Sequence, residues 1–208
     1  MDDRRDFPAS DLSQLVGSRL CHDLVNPISA ISNGLELLAL SGTAPSPELE
    51  LIGDAVKDAL ARIRFFRIAF GAARPGETLS ARELREVLGG IYGAGRLEVD
   101  WQVAGDLPRH DAKLAFLMLN VVETAFPLGG TLTIRQDGTA WKLDGTGRKL
   151  SVDDPCWQAL ATPGIVAAPP PAKVQFALLT QEVEARDAAL ETRIDIDALG
   201  LSMRIDLP

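Results

Sequence analysis

Residues 18–38, SRLCHDLVNPISAISNGLELL, hold the pattern that decides the architecture of this 208-residue chain. Around them Leu12, Val16, Leu20, Leu24, Ile28, Ile31, Leu35 and Leu38 recur at spacings of three and four, the period of an amphipathic helix. Ser10 and Asp11 are the candidates for its N-cap. The cluster SGTAPSP that follows is rich in Gly, Pro and Ser and predicts a turn. A second helix is expected to open with Ser46 as N-cap, Pro47 at the first helical position and Glu48 in the first turn. Its apolar positions are Leu49, Ile52, Val56, Ala59 or Leu60, Ile63, Phe66 and Phe70. Two helices apolar along their whole length leave much of that surface wet if they form a lone hairpin. Either a homodimeric four-helix bundle about a two-fold axis covers them, or the hairpin packs on the rest of its own chain.

Composition narrows the classes open to the chain. With 21 Lys+Arg against 29 Asp+Glu the net charge is −8, which argues against a sequence-independent nucleic-acid binder. Hydrophobic residues make up 46% and charged residues 24%, the balance of a globular protein with a packed core. The longest apolar runs, FFRIAFGAA and LAFLML, fall far short of the roughly 20 residues of a membrane span. MDDRRDFPAS lacks the apolar stretch of a secretory signal, and Cys21 and Cys156 are too few for a disulfide framework. The expectation is a cytoplasmic protein with free thiols and no membrane contact.

Near residues 74–80 the texture changes to alternating strands and helices. Residues 80–92 and 111–126 have helical patterns, whereas RLEVDWQV, TLTIRQ and TAWKLD alternate as strands, with Asp137–Gly138 as a hairpin turn. ATPGIVAAPPPA is expected to be a loop, followed by a helix around 173–188 and two closing strands, ETRIDID and LSMRIDLP. An antiparallel or mixed sheet covered by helices on one face is the α+β architecture that follows.

On the first helix His22 falls roughly 180° from the mean direction of the apolar stripe and is expected to face solvent. Ser18, Arg19, Asn26, Ser29 and Asn33 share that side, so an imidazole sits among small or polar groups with a cation one turn before it and an amide one turn after. A solvated face that happens to include a histidine reads the same way. Pro27, one residue after Asn26, sits inside the helix at a cost of about 3 kcal/mol and frees the Asp23 carbonyl. Such a local conflict marks either a functional site or a tolerated kink.

His22, Asp23, Asn26 and Pro27 resemble, residue by residue, the phospho-acceptor box of sensor histidine kinases. More narrowly, SRLCHDLVNPISAISNGLELL together with RIRFFRIAFGAA resembles the alphaproteobacterial histidine phosphotransferases of the ChpT type. That resemblance implies a helical hairpin over residues 1–77 forming a four-helix bundle in a homodimer, and an α/β sandwich over 78–208 like a degenerate kinase ATPase domain. It implies that His22 takes a phosphoryl group from the receiver domain of a CckA-like hybrid histidine kinase and passes it to a CtrA-like or CpdR-like response regulator. No cofactor would be bound by the chain itself, the receiver bringing Mg²⁺. A neutral imidazole is an available nucleophile at neutral pH.

In this reading His22, Asp23 and Asn26 form the catalytic group. Asp23 would orient the ring, and Asn26, by the kinase analogy, would orient a water for dephosphorylation. Arg19, Pro27, Ser18, Ser29, Asn33, Arg62, Arg64 and Arg67 would contact the phosphoryl group or the receiver. Arg62, Arg64 and Arg67 form a basic group suited to an acidic rim, or else lend their stems to the bundle seam.

The second half departs from an ATP-binding kinase in three places. Asn120 in LMLNVVETAFPLGG matches the first of two asparagines four apart, but Thr124 stands where the second belongs. DGTGR at 144–148 is one residue short of the adenine-binding box, and PGIVAAPPPAK replaces the glycine-rich lid with three consecutive prolines that offer no N–H donors. Three rivals stand beside the phosphotransferase reading. A metal-dependent phosphohydrolase is suggested by His22–Asp23 and His110–Asp111, but two histidines are too few and Asp111 reads as an N-cap. The others are an active histidine kinase and a non-catalytic dimeric scaffold.

Overall fold

The helical hairpin is built from α1, Ala9–Leu40, and α2, Pro47–Phe70. The computed structural model describes residues 9–41, 46–161 and 169–208. Residues 42–45 of the expected turn and 162–168 of the expected loop and proline-rich lid lie outside them. Ser10 and Asp11, the expected cap, fall inside α1, which runs from Ala9, and their side chains lie outside the described ones. The start of α2 is as expected: Ser46 Oγ accepts from Leu49 N at 3.3 Å, Pro47 opens the helix, and Glu48 and Glu50 occupy its positive first turn. Pro27 is accommodated inside α1, which continues through it.

The apolar stripe of α1 divides in two. Cys21, Val25, Ile28, Ser32 and Leu35 are half-buried on the side that meets α2. Val16, Leu20, Leu24, Ile31 and Leu38 are exposed, as are Leu51 and Ile52 on α2. Toward its C-terminus α2 buries a second row, Phe65, Ile68 and Ala69, against the rest of the chain. Periodicity had assigned α2 a single face. Phe65 lies 4.9 Å from the ring of Phe116 and edge-on to Tyr92.

The remaining residues form β1 (Thr78–Leu79), α3 (Ala81–Tyr92), β2 (Leu97–Trp101), β3 (Leu107–Pro108), α4 (Arg109–Val122), β4 (Gly130–Asp137), β5 (Ala140–Gly147), α5 (Pro155–Ala161), α6 (Val174–Glu184), β6 (Ala189–Asp195) and β7 (Gly200–Asp206). Five strands make a mixed sheet in the order β2-β4-β5-β7-β6, with β2 parallel to β4 and the other pairs antiparallel. β1 and β3 pair separately. The hairpin β4–β5 turns at Gly138–Thr139, with Gly138 at φ +61° and Asp137 still paired to Ala140, one residue later than the expected turn.

Leu132, Ile134, Trp141, Leu143, Leu201, Met203 and Ile205 cover one face of the sheet, under α4 and α6. α4 is buried almost all round, from Ala112 to Val122. It begins at Arg109, two residues before the expected cap, with Pro108 supplying its fixed φ at the cap position. Asp111 is therefore not the N-cap and His110 is helical; Asp111 accepts from Arg186 Nη1 at 3.1 Å.

Candidate functional site

His22 projects from the middle of α1 with 69% of its side chain exposed. Its Nδ1 lies 3.1 Å from Asp23 Oδ1, and Arg19 Nε donates to Asp23 Oδ2 at 2.7 Å, so three charged or titratable groups run in line. A carboxylate only accepts hydrogen bonds, so the neutral imidazole that makes this contact carries its hydrogen on Nδ1 and leaves the Nε2 lone pair free. The His22 hydrogen bond, with Arg19 beside it, holds the Asp23 carboxyl below its ordinary value. Asp23 stays ionised at neutral pH and accepts from the ring.

His22 stands at a cleft of about 570 Å³. One wall is α1, with Ser18, Val25 and Asn26; the floor is the last turn of α2, with Arg67 and Ile68. The opposite wall is the segment leaving α2, with Ala72, Arg74, Glu77, Thr78 and Leu79, closed by Arg109 from α4. Three arginines and one glutamate thus line a cleft in a chain of net charge −8. Arg67 also pairs with Glu83 at 3.3 Å. Burial pushes the Cys21 thiol up against the opposing pull of Arg67, so its sulfur is protonated at neutral pH and offers no competing nucleophile.

Of the residues singled out in sequence, Ser18, His22, Asn26 and Arg67 meet at the cleft, with Asp23 and Arg19 attached through the ring of His22. Ser18 and Ser29 are half-buried where exposure was expected, because they share the row of α1 that meets α2. Ser18 Oγ accepts from Ala72 N at 3.0 Å. Pro27 and Asn33 are exposed and do not line the cleft. Arg62 and Arg64 are exposed and do not line it, Arg62 acting on the Tyr92 hydroxyl, so of the three arginines Arg67 alone reaches the cleft.

Arg74 and Arg109 went unnoticed. The Pro75–Gly76 turn is the only local signal that the chain doubles back beside His22, with Gly76 at φ +81°. The role of Arg109 depends on carbonyls more than 40 residues away, Arg67 and Ile68. No periodicity reports such a contact.

The positions compared with an ATP-binding box are differently arranged. Asp144 is on the outer face of the sheet, paired with Arg135 at 2.8 Å. Gly145 and Gly147 face inward, where a Cβ would come within 2.6 Å of the fully buried Phe126 ring. Thr124 Oγ1 donates to Val121 O at 2.7 Å.

Comparison with known proteins identifies the family. Protein phosphotransferase ChpT of Brucella abortus (strain 2308) is 38% identical over 133 residues, an alignment that spans 63% of this chain and 63% of the length of that relative. A solved structure of a bacterial phosphotransferase superposes with a TM-score of 0.68 and 28% identity, over 96% of this chain and 98% of that one. Residues 81–198, more than half of the chain, match the model of the histidine phosphotransferase C-terminal domain. The chain belongs to the histidine phosphotransferase family.

Proposed function

We propose that the chain is a phosphorelay histidine phosphotransferase, and the observation that carries this is an exposed imidazole, tied through Nδ1 to an ionised carboxylate, at the mouth of an arginine-lined cleft. The lone pair of His22 Nε2 attacks the phosphorus of an aspartyl phosphate on a receiver domain. The N–P bond forms as the P–O bond breaks, and the electron pair leaves with the aspartate carboxylate. The reverse step delivers the phosphoryl group to the aspartate of a second receiver. Asp23 keeps the Nδ1 hydrogen in place throughout. In this reading the Mg²⁺ that neutralises the phosphoryl oxygens comes with the receiver. The partners that fit are the receiver of a CckA-like hybrid kinase and CtrA-like or CpdR-like regulators. The test is intact mass after mixing with a pre-phosphorylated receiver, with Mg-ATP alone in parallel. Gain of one acid-labile phosphoryl group from the receiver only is expected, and labelling by ATP alone would mean a kinase.

The same reading takes a receiver, and not ATP, as the donor. Phe126 fills the space over Gly145 and Gly147, and Asp144 is turned to the outer face with Arg135. Titration with millimolar Mg-ATP is expected to give no heat of binding, whereas saturable heat would restore the kinase reading.

The uncovered row Val16, Leu20, Leu24, Ile31 and Leu38 supports a homodimer as part of this reading. A row of five exposed aliphatic side chains along one helix is a pairing surface rather than scattered exposure. His22 lies on another side of the helix and stays accessible in such a dimer. Leu24→Glu combined with Ile31→Glu is expected to halve the mass seen by light scattering while far-UV circular dichroism is retained; an unchanged mass would place the interface elsewhere.

A further inference from the structure

The cleft beside His22 owes its second wall to a cluster that sequence reasoning did not touch. α1 crosses the end of α2 where both helices carry glycine. A Cβ on Gly17 would sit 3.4 Å from the carbonyl of Phe70, and one on Gly71 would sit 2.4 Å from Arg67 O, the carbonyl that Arg109 caps, 3.1 Å from Ser18 Oγ and 3.2 Å from Arg109 Nη2. Gly71 has φ −71°, an ordinary value, so space and not backbone conformation calls for glycine there.

Into this crossing Arg109 inserts a guanidinium that is only 7% exposed. Its Nη1 donates to Ile68 O at 2.8 Å and its Nη2 to Arg67 O at 2.5 Å, two of the last carbonyls of α2. The backbone N–H of Arg109 donates to Glu77 O at 2.8 Å. One residue thus grips both ends of the segment 71–79, and Ser18, one turn before His22, ties the same segment to α1 through Ala72 N. That segment carries Arg74 into the cleft.

The geometry points to Arg109 as a positioning residue for phosphoryl transfer: without touching the phosphoryl group, it holds the wall that bears Arg74 at a fixed separation from His22. This rests on the phosphotransfer reading above. In-line displacement is sensitive to placement on the scale of an ångström, so loosening this wall acts on the transfer step more than on docking of the receiver to the hairpin.

Three variants test it: Arg109→Met removes both hydrogen bonds, Arg109→Lys retains a cation able to reach one carbonyl, and Gly71→Ala wedges the same crossing from the other side. The maximal transfer rate from saturating phosphorylated receiver is expected to fall at least tenfold in Arg109→Met and Gly71→Ala, with the half-saturating concentration within twofold, and to recover in part in Arg109→Lys. Amide exchange over residues 71–79 should accelerate while that of α4 does not. Arg74→Gln should slow transfer in the wild-type background and add little to Arg109→Met, a coupling that a purely structural cap would not produce. Wild-type maximal rates in folded Arg109→Met, or additive losses in the double variant, overturn the assignment. If the unmodified protein takes no label from any receiver, the phosphotransfer reading falls by itself; unchanged exchange over 71–79 in Arg109→Met would then overturn the clamp independently.

Discussion

His22→Ala and His22→Gln are expected to abolish labelling by a phosphorylated receiver, to below the detection limit of intact-mass measurement, while the melting temperature and oligomeric mass stay those of the wild type. The two halves of this expectation have separate causes. Among the described residues no other side chain lining the cleft offers a free lone pair of comparable nucleophilicity, the arginines being permanently charged, and Cys21, next along the chain, is held as the thiol by burial. The side chain is 69% exposed and hydrogen-bonds to Asp23 at the surface, so its loss removes little packing, and a surface change of this kind stays within about 0.5 kcal/mol. Asp23→Asn tests the second atom of the mechanism. The amide can still meet Nδ1 but no longer fixes its hydrogen, and the transfer rate is expected to drop roughly tenfold, as when an orienting carboxylate is taken from an imidazole. Retained labelling in His22→Ala would move the phosphoryl group to another residue and end the assignment.

What the sequence made legible follows the range of the forces involved. The hairpin, the exposure of His22 and the opening of α2 are set by residues within one or two turns of one another, and periodicity and capping report them directly. The resemblance on His22, Asp23, Asn26 and Pro27 is equally local. The strands were legible as elements, but the order β2-β4-β5-β7-β6 and the parallel pairing of β2 with β4 were not, since nothing in a strand names its neighbour. α2 shows why a single stripe can mislead: it serves α1 with one face and α3 and α4 with Phe65, Ile68 and Ala69 on another. Half of the cleft was hidden for the same reason. Arg74 and Arg109 look like ordinary surface cations until the chain folds back, and Asp111 looked like a cap because its true partner, Arg186, lies far along the chain.

Glu182→Leu is expected to be the most destabilising single change in the second half of the protein, by about 3–5 kcal/mol in denaturant unfolding, because it strands a buried cation. Lys113 on α4 is 2% exposed, and its ammonium meets Glu182 Oε2 at 3.0 Å. Arg186 donates to the other oxygen, Oε1, at 2.8 Å and to Asp111 at 3.1 Å, so that the network joins α4 to α6. Removing the carboxylate leaves the Lys113 charge desolvated with its anion gone. The double change Lys113→Met with Glu182→Leu removes both charges and replaces them by apolar groups of similar volume, and is expected to recover most of the loss. Additive destabilisation in the double variant would show that the two residues matter for packing and not for charge. The network also sets an acid limit. Burial pushes the Glu182 carboxyl up, but Lys113 and Arg186 outweigh it and hold it below its ordinary 4.5. A depressed folded-state value means that this stabilisation is complete above the unfolded value and is lost as pH falls through the folded one. Stability should therefore decline on acidification below about pH 4.5, and the decline should be shallower in the double variant, where no carboxylate remains at that position to be protonated.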